Sequence, residues 1–190
     1  MLEILSFCGL LLLFVLTLVL VILSLVFIYL TAASGFMHSS PSVPSCGKVK
    51  DAMLQSVAAE LKKSTVPMSV VDLGSGWGSL LLPLAAKFPQ HTFIGYEIAR
   101  LPLFISRLRA HKMKNIRFVR QDILKADLST VDIVFLFLLP SMMEKLTDKC
   151  RTEMKKSALI YSNRFKLPNI KEQQKVSLGS DYYSYYIYKM

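Results

Sequence analysis

Cysteine is scarce in this chain of 190 residues, and its three cysteines stand far apart. Cys8 lies in an apolar N-terminal stretch, Cys46 follows that stretch, and Cys150 stands alone in the remaining body. No Cys-x-x-Cys pair or Cys/His cluster has the spacing that a structural metal requires. We therefore predict no metal site, and this sparse use of cysteine favours a reducing compartment.

Charge is absent from residues 4–47, and nearly every residue from Ile4 to Leu30 is apolar. About 20 apolar residues span a bilayer core, whereas a signal peptide has a basic start and an apolar stretch of roughly 7 to 15 residues. The pattern predicts a transmembrane anchor over residues 4–31 and a polar, proline-bearing linker over residues 32–47. Cleavage near Thr31-Ala32-Ala33 is the alternative.

Basic residues are lacking before Lys48: all 23 Lys and Arg lie from Lys48 onward, with 12 of the 13 Asp and Glu. The positive-inside rule therefore predicts an outer N-terminus and a cytoplasmic body. Because no Arg-rich amphipathic presequence precedes the anchor, the bacterial inner membrane is favoured over the mitochondrial inner membrane. The basic surface is expected to face anionic lipid rather than nucleic acid, since no nucleic-acid motif accompanies the charge.

The body, residues 48–190, is long enough for one domain with a core. Its most informative motif is Val70-Val71-Asp72-Leu73-Gly74-Ser75-Gly76-Trp77-Gly78, in which an acid ends a strand and three glycines precede a helix over residues 79–88. A dinucleotide fold spaces its glycines as G-x-G-x-x-G to hold a pyrophosphate, which Asp72 would repel. The same acid would attract the ammonium and sulfonium of S-adenosyl-L-methionine. The motif thus predicts a methyl donor bound by Asp72, Gly74, Ser75, Gly76 and Gly78, with a structural turn or an NAD site as alternatives.

Two further acids end the next predicted strands. Residues 91–97 end in Glu97, which would accept hydrogen bonds from the ribose hydroxyls, and residues 116–122 end in Asp122, which would accept from the adenine amino group. Taken alone, either acid is better explained as a helix cap or a solvated loop carboxylate. Three acids at the carboxyl ends of successive strands together predict one cofactor site in an open α/β sheet.

The segment after the buried strand over residues 131–138 lacks a polar loop. Many methyltransferases that act on amide or base nitrogens carry an Asn/Asp-Pro-Pro-aromatic loop here, whereas this chain has Leu139-Pro140-Ser141. Glutamine and exocyclic base nitrogens are thus disfavoured as methyl acceptors. Ser141 is expected to cap the following helix, and Asp132, at the entry of the strand, is expected to be a structural turn residue.

Candidates for the acceptor side come from the last two predicted strands. Tyr161, Ser162 and Asn163 end a strand over residues 158–163 and are predicted to line an acceptor channel. The tyrosines of residues 182–188 are expected to alternate between the faces of a strand as core residues. The alternative is that one or two of these rings border the acceptor site and attract an ammonium.

The order of these motifs resembles the membrane-anchored protein-lysine methyltransferases that modify the adenine nucleotide translocase and the c subunit of ATP synthase, including bacterial relatives. The resemblance implies a Rossmann-like seven-stranded class I methyltransferase sheet behind a single transmembrane helix, S-adenosyl-L-methionine as donor, and lysine of a membrane protein as acceptor. It rests on Pro41-Ser42-Val43-Pro44-Ser45, Val71-Asp72-Leu73-Gly74-Ser75-Gly76, Gly95-Tyr96-Glu97-Ile98, Leu139-Pro140-Ser141-Met142-Met143 with Lys145-Leu146, and Asn163-Arg164-Phe165-Lys166-Leu167-Pro168.

The chain departs from that family at two places. Trp77 stands where an acid is common, and Ala99-Arg100 replaces the usual Asn-Pro. These departures keep two alternatives open: a small-molecule or lipid methyltransferase, and a noncatalytic scaffold that retains the fold.

Overall fold

A computed structural model of the protein describes residues 2–35 and 47–190, which form two compact units. The first unit is one helix, α1 (Leu2–Gly35). Its stretch Gly9–Tyr29 has a mean hydropathy of 3.3 and is long and apolar enough to cross a membrane. The predicted linker lies mostly outside the described residues, as do Cys46 and the Pro41-Ser42-Val43-Pro44-Ser45 motif.

The second unit alternates strands and helices along most of its length. Its helices are α2 (Gly47–Lys63), α3 (Leu81–Lys87), α4 (Arg100–Ala110) and α5 (Pro140–Glu153). Its strands are β1 (Ser69–Leu73), β2 (Thr92–Tyr96), β3 (Ile116–Val119), β4 (Ile133–Leu136), β5 (Leu159–Asn163), β6 (Gln174–Ser177) and β7 (Ser184–Lys189).

The seven strands form one sheet in the order β3-β2-β1-β4-β5-β7-β6. The first five strands are parallel, and β7 enters antiparallel between β5 and β6. The chain order reverses between β1 and β4, and open α/β sheets bind ligands at the carboxyl ends of the strands beside such a switch. The predicted Rossmann-like, seven-stranded class I methyltransferase fold is confirmed.

Two apolar clusters cover the two faces of the sheet, because alternate strand residues point to opposite sides. Val70, Ile133 and Phe135 belong to one cluster, which α2 covers with Val49, Met53, Val57 and Leu61. Val71, Val134 and Leu136 belong to the other, which α5 covers with Met143, Leu146 and Cys150. Burial on both faces explains why β4 reads as a continuous apolar run.

Two details differ from the sequence-based expectations. Ser141 is not the cap of α5: the helix begins with Pro140 at its first position, and Leu139 is the N-cap without a side-chain hydrogen bond. Tyr182 and Tyr183 precede β7 in a 3₁₀ turn, Asp181–Tyr183, so they do not share in its alternation. The later tyrosines do alternate, since Tyr185 packs in one cluster and Tyr186 and Tyr188 pack in the other.

Candidate cofactor site

Asp72 is a buried acid without a partner at the carboxyl end of β1. Its side chain is 5% exposed, and no described residue donates a hydrogen bond to it. Burial, and then the nearby charge of Glu97, raises its pKa from 3.8 to about 7. A buried carboxyl group that lacks a counter-charge is suited to a cationic ligand.

Glu97 lies just beyond the end of β2, and the backbone fixes its carboxylate. Its Oε2 accepts a hydrogen bond from the Gly76 N–H at 2.9 Å, and its Oε1 accepts one from the Ala99 N–H at 2.7 Å. Each carboxylate oxygen can accept a second hydrogen bond. The geometry therefore leaves capacity for the ribose hydroxyls that the sequence analysis assigns to Glu97.

The glycine loop folds back onto the end of β2. The N–H groups of Gly74 and Ser75 both donate to the Tyr96 carbonyl at 2.9 Å. Gly74, Gly76 and Gly78 have φ angles of +92°, +49° and +76°. These left-handed conformations favour glycine, so the three glycines are required by the backbone path as well as by any ligand.

Phe118 of β3 packs beneath this loop, and sequence reasoning did not identify it. A Cβ atom on Gly78 would lie 2.7 Å from Phe118 Cζ, and one on Gly95 would lie 2.6 Å from Phe118 Cε1 and from Ser75 Oγ. The ring thus occupies the space that two glycines leave. Among the described residues, Ser75 Oγ is the one side-chain polar atom that is completely inaccessible to solvent and has no hydrogen-bond partner, and it lies at this junction.

Trp77 is held at the outer side of the loop through its backbone. Its side chain is 39% exposed, and its carbonyl accepts a hydrogen bond from Arg109 Nη1 of α4 at 2.8 Å. Since Glu97 also contacts the Ala99 N–H just before α4, both ends of this helix are joined to the site.

Asp122 is exposed and has a structural partner. Its Oδ1 accepts a hydrogen bond from the Leu124 N–H at 3.0 Å and caps the short 3₁₀ helix Ile123–Lys125. Contact with an adenine amino group stays a prediction for this residue. Asp132, by contrast, has a structural role: its Oδ2 accepts from the Ser69 N–H and its Oδ1 pairs with Lys155.

The three acceptor-side candidates of β5 are all buried. The Tyr161 ring lies between Phe135 and Tyr185, with centroid distances of 5.9 and 6.3 Å, and burial raises the pKa of its phenol above the usual range. The Ser162 hydroxyl donates to the Phe165 carbonyl at 2.6 Å. Only Asn163 stands at the carboxyl end of the strand, and a role in lining an acceptor channel stays a prediction for all three residues.

Arg164, directly after β5, was not among the predicted site residues. Its φ angle is +68°, which is unfavourable for a residue with a side chain, and its guanidinium stacks on the Tyr182 ring at 4.0 Å. Non-glycine residues held in this conformation cluster at functional sites. The observed conformation therefore adds an Arg164–Tyr182 pair to the residues at this edge of the sheet.

Replacing Glu97 by Gln is expected to lower the pKa of Asp72, because the neighbouring negative charge disappears. The amide group must also present one NH₂ to a backbone N–H, which costs about 1–3 kcal/mol for the unmet hydrogen bond. The pH dependence of cofactor binding measures the first effect, and thermal unfolding measures the second. An unchanged pH midpoint would contradict the electrostatic coupling of the two acids.

The chain matches a known protein family. The match is to the ANTKMT methyltransferase domain over residues 72–174, which is more than half of the chain. The chain belongs to this family. The match begins at Asp72 and includes the glycine loop, Glu97, Asp122 and all of β5.

Several curated relatives of this ANTKMT-family chain are lysine methyltransferases. It is 32% identical over 60% of its length to the adenine nucleotide translocase lysine N-methyltransferase of Mus musculus, covering 51% of that protein. It is 34% identical over 53% of its length to the Xenopus laevis lysine N-methyltransferase of the ATP synthase c subunit, covering 45% of it. The chain thus spans about half the length of these relatives. A shorter relative is the protein-lysine N-methyltransferase of Saccharolobus islandicus, which is 28% identical over 78% of this chain. The alignment covers 92% of that relative.

A solved structure shares the fold of this ANTKMT-family chain. An RNA methyltransferase from Salinibacter ruber, in complex with S-adenosyl-L-homocysteine, superimposes with a TM-score of 0.67 and 24% identity. The alignment covers 77% of this chain and 93% of that one. At this identity the comparison supports the fold, and the substrate must be argued from the site itself.

The residues present fit S-adenosyl-L-methionine. Asp72 supplies a buried carboxyl group that no described residue pairs with and that suits a cation, and Glu97 supplies oriented lone pairs for a diol. The open space at the Cβ position of Gly76 leaves room for a ligand against the loop. A donor with a sulfonium and an ammonium satisfies the charge that the protein leaves unmet.

Proposed function

We propose that this protein is an S-adenosyl-L-methionine-dependent methyltransferase that methylates lysine in a membrane protein. The observation that carries the proposal is Asp72, a buried acid that no described residue neutralises and whose pKa burial raises to about 7. A buried, unpaired carboxylate lowers the stability of the folded chain, and a bound cationic ligand restores that stability by pairing with the charge.

Each acid of the site has a separate role in holding the donor. Asp72 would face the ammonium and sulfonium groups, Glu97 would accept from the ribose hydroxyls, and Asp122 would accept from the adenine amino group. When bound, the cofactor supplies an activated methyl group on a positively charged sulfur. The protein then needs chiefly to align an incoming nucleophile with that methyl group.

Lysine must lose a proton before it can react, because its side chain has a reference pKa of about 10.4. The segment after β4 suits this requirement: Leu138 Cδ2 would lie 3.3 Å from a Cβ atom on Gly74, and Leu139 is exposed. An apolar rim beside the site disfavours a charged ammonium and thus favours the neutral amine. The lysine specificity named for three relatives agrees with this chemistry.

The acceptor is expected to be a membrane protein because of the N-terminal helix. The stretch Gly9–Tyr29 is long enough to span a bilayer, and all 23 basic residues follow it. By the positive-inside rule the catalytic unit lies on the cytoplasmic side, with the bacterial inner membrane favoured and the mitochondrial inner membrane as the alternative. The linker then restricts the enzyme to substrates close to the bilayer.

Methyl transfer by the full chain in lipid nanodiscs tests this function. With isotope-labelled donor and a membrane extract, we expect label on lysine ε-nitrogens of membrane proteins, identified by peptide mass spectrometry. Asp72→Asn should abolish the signal, whereas Asp127→Asn should retain it, because Asp127 is an exposed acid whose side chain bonds only to Ser129. Label found only in lipid or RNA would overturn lysine as the acceptor, and no label with tight cofactor binding would favour a noncatalytic scaffold.

A further inference from the structure

Helix α4 presents an apolar ridge to the outside of the domain. Its buried side consists of Pro102, Leu103, Ser106 and Ala110. At about 100° per residue, Leu108 and its neighbour Phe104 point almost directly away from that side. They are 56% and 62% exposed, although the outer side of a helix on a soluble domain is normally polar.

Positive charge surrounds this ridge. The segment between Glu97 and Asp122 contains no acidic residue and seven basic residues: Arg100, Arg107, Arg109, Lys112, Lys114, Arg117 and Arg120. Arg100, Phe104 and Leu108 follow one another at intervals of four along α4. Lys112 lies just beyond the helix, which ends at Ala110, so along the chain a basic residue stands on either side of the apolar pair. We name Arg100, Phe104, Leu108 and Lys112 the α4 face.

A lipid surface matches both properties of the α4 face. Helices that lie in the plane of a membrane bury aromatic and aliphatic side chains at the acyl boundary and place Lys and Arg among the headgroups. Anionic headgroups attract each basic residue near the surface. We propose that the α4 face binds the surface of an anionic phospholipid bilayer. RNA is disfavoured, because the outermost side chains, Phe104 and Leu108, donate no hydrogen bond to a phosphate.

The chain also enters this unit from the edge of the sheet that carries the site. The Leu61 carbonyl, near the end of α2, accepts a hydrogen bond from His91 Nε2, and His91 precedes β2 at the amino edge. Ser56, earlier in α2, contacts the Tyr185 hydroxyl, and Tyr185 pairs with Asn163 at the carboxyl end of β5. The helix therefore runs from the carboxyl edge to the amino edge, and its first residue, Gly47, lies toward the carboxyl edge.

Docking of the α4 face would position the cofactor site at the bilayer surface. The Ala99 N–H beside the start of α4 binds Glu97, and Arg109 near its end binds the Trp77 carbonyl of the glycine loop. The same helix thus contacts lipid on its outer side and the site at both ends. This consequence rests on the proposed function for its membrane context, whereas lipid docking itself can be measured without any methyl transfer.

Tryptophan fluorescence in nanodiscs tests the docking with a matched control. Because Trp77 is the one tryptophan of the chain, a Trp77→Phe background allows one probe at Phe104→Trp or at Val66→Trp. Phe104 and Val66 are 62% and 64% exposed, and Val66 precedes β1 at the amino edge. Phospholipids with brominated acyl chains should quench the probe at 104 several-fold more strongly than the probe at 66. The difference should be large with anionic discs and should shrink in 1 M salt, where the screening length is about 3 Å.

Hydrogen exchange on the unmodified full chain provides an independent measurement. Amides of residues 100–112 should exchange several-fold more slowly in anionic than in neutral discs, while residues 60–67 should not change. Equal quenching at both positions, or no dependence on lipid charge, would overturn the proposal, and protection of residues 100–112 by added RNA in neutral discs would favour nucleic acid instead. Cofactor titration of the same samples separates a failure of docking from a failure of the proposed function.

Discussion

Asp72→Asn is expected to abolish cofactor binding and, at the same time, to make the catalytic unit more stable above pH 7. The carboxyl group is buried, has no partner among the described residues and lies near the charge of Glu97. An amide of the same shape removes the buried charge and its repulsion by Glu97, so the folded state becomes more stable. The cofactor loses its counter-charge, and breaking a buried pair costs about 3–5 kcal/mol, or roughly 100-fold or more in affinity.

The sign of the pH dependence follows from the raised pKa. Asp72 holds its proton up to about pH 7 when the protein is folded, compared with 3.8 for the ordinary group. Its contribution to stability is therefore greatest below pH 4, decreases between about pH 4 and 7, and stays constant above pH 7. At 1.36 kcal/mol per pH unit the loss amounts to about 4 kcal/mol at most, so Asp72→Asn should stabilise the unit by about 1–3 kcal/mol at pH 8.

Two measurements on the full chain in nanodiscs check this prediction. Thermal unfolding followed by Trp77 fluorescence should show a higher midpoint for Asp72→Asn than for the wild type at pH 8 and little difference at pH 4. Calorimetry should show that cofactor binding to the wild type weakens about tenfold per pH unit below 7, with release of one proton. The control Asp127→Asn should leave cofactor binding unchanged and should not raise the unfolding midpoint at pH 8, because the hydrogen bonds of Asp127 to Ser129 favour its carboxylate. A lower midpoint for Asp72→Asn at pH 8 would show that the acid is satisfied in a way the structure does not contain.

The positions of Asp72, Glu97 and the glycine loop could be predicted from the sequence because their signals are local. Each acid ends an apolar strand, and parallel strands bring their carboxyl ends to one edge. The same reasoning predicts β4 and β5 close to their observed bounds. The edge strand β6 was missed because Gln174–Ser177 is polar and largely exposed, so it has no buried face to produce alternation.

Contacts between distant residues were not predictable in this way. Arg164 combines a left-handed conformation with stacking on Tyr182, and no pattern in the sequence indicates that pairing. Helix α4 was missed for a different reason. Its outer ridge is apolar as well as its inner side, so the apolar residues do not mark the buried face of the helix.

Gly95→Ala is expected to have the second large effect, because the glycine lies where the loop, β2 and β3 meet. A Cβ atom there would lie 2.6 Å from both Phe118 Cε1 and Ser75 Oγ, and Phe118 is buried and aromatic, so it cannot easily move aside. Overpacking of this kind costs about 1–3 kcal/mol in a core. Displacement of Ser75 would also move the loop whose Gly76 N–H binds Glu97, so cofactor affinity should fall with stability.

A double-mutant cycle distinguishes this clash from a general intolerance of β2 to substitution. Phe118→Leu alone should destabilise the unit by about 1 kcal/mol, since it leaves unfilled space. Combined with Gly95→Ala it should recover part of the lost stability and cofactor affinity, which gives a favourable coupling energy of about 1 kcal/mol or more. Gly47→Ala is the matched control, because a Cβ atom there meets nothing within 4 Å. Additive losses in the double variant would show that the Phe118 ring and a Cβ atom at position 95 do not compete for the same space. The position of Ser75 would then depend on something other than the packing of Phe118 beneath the loop.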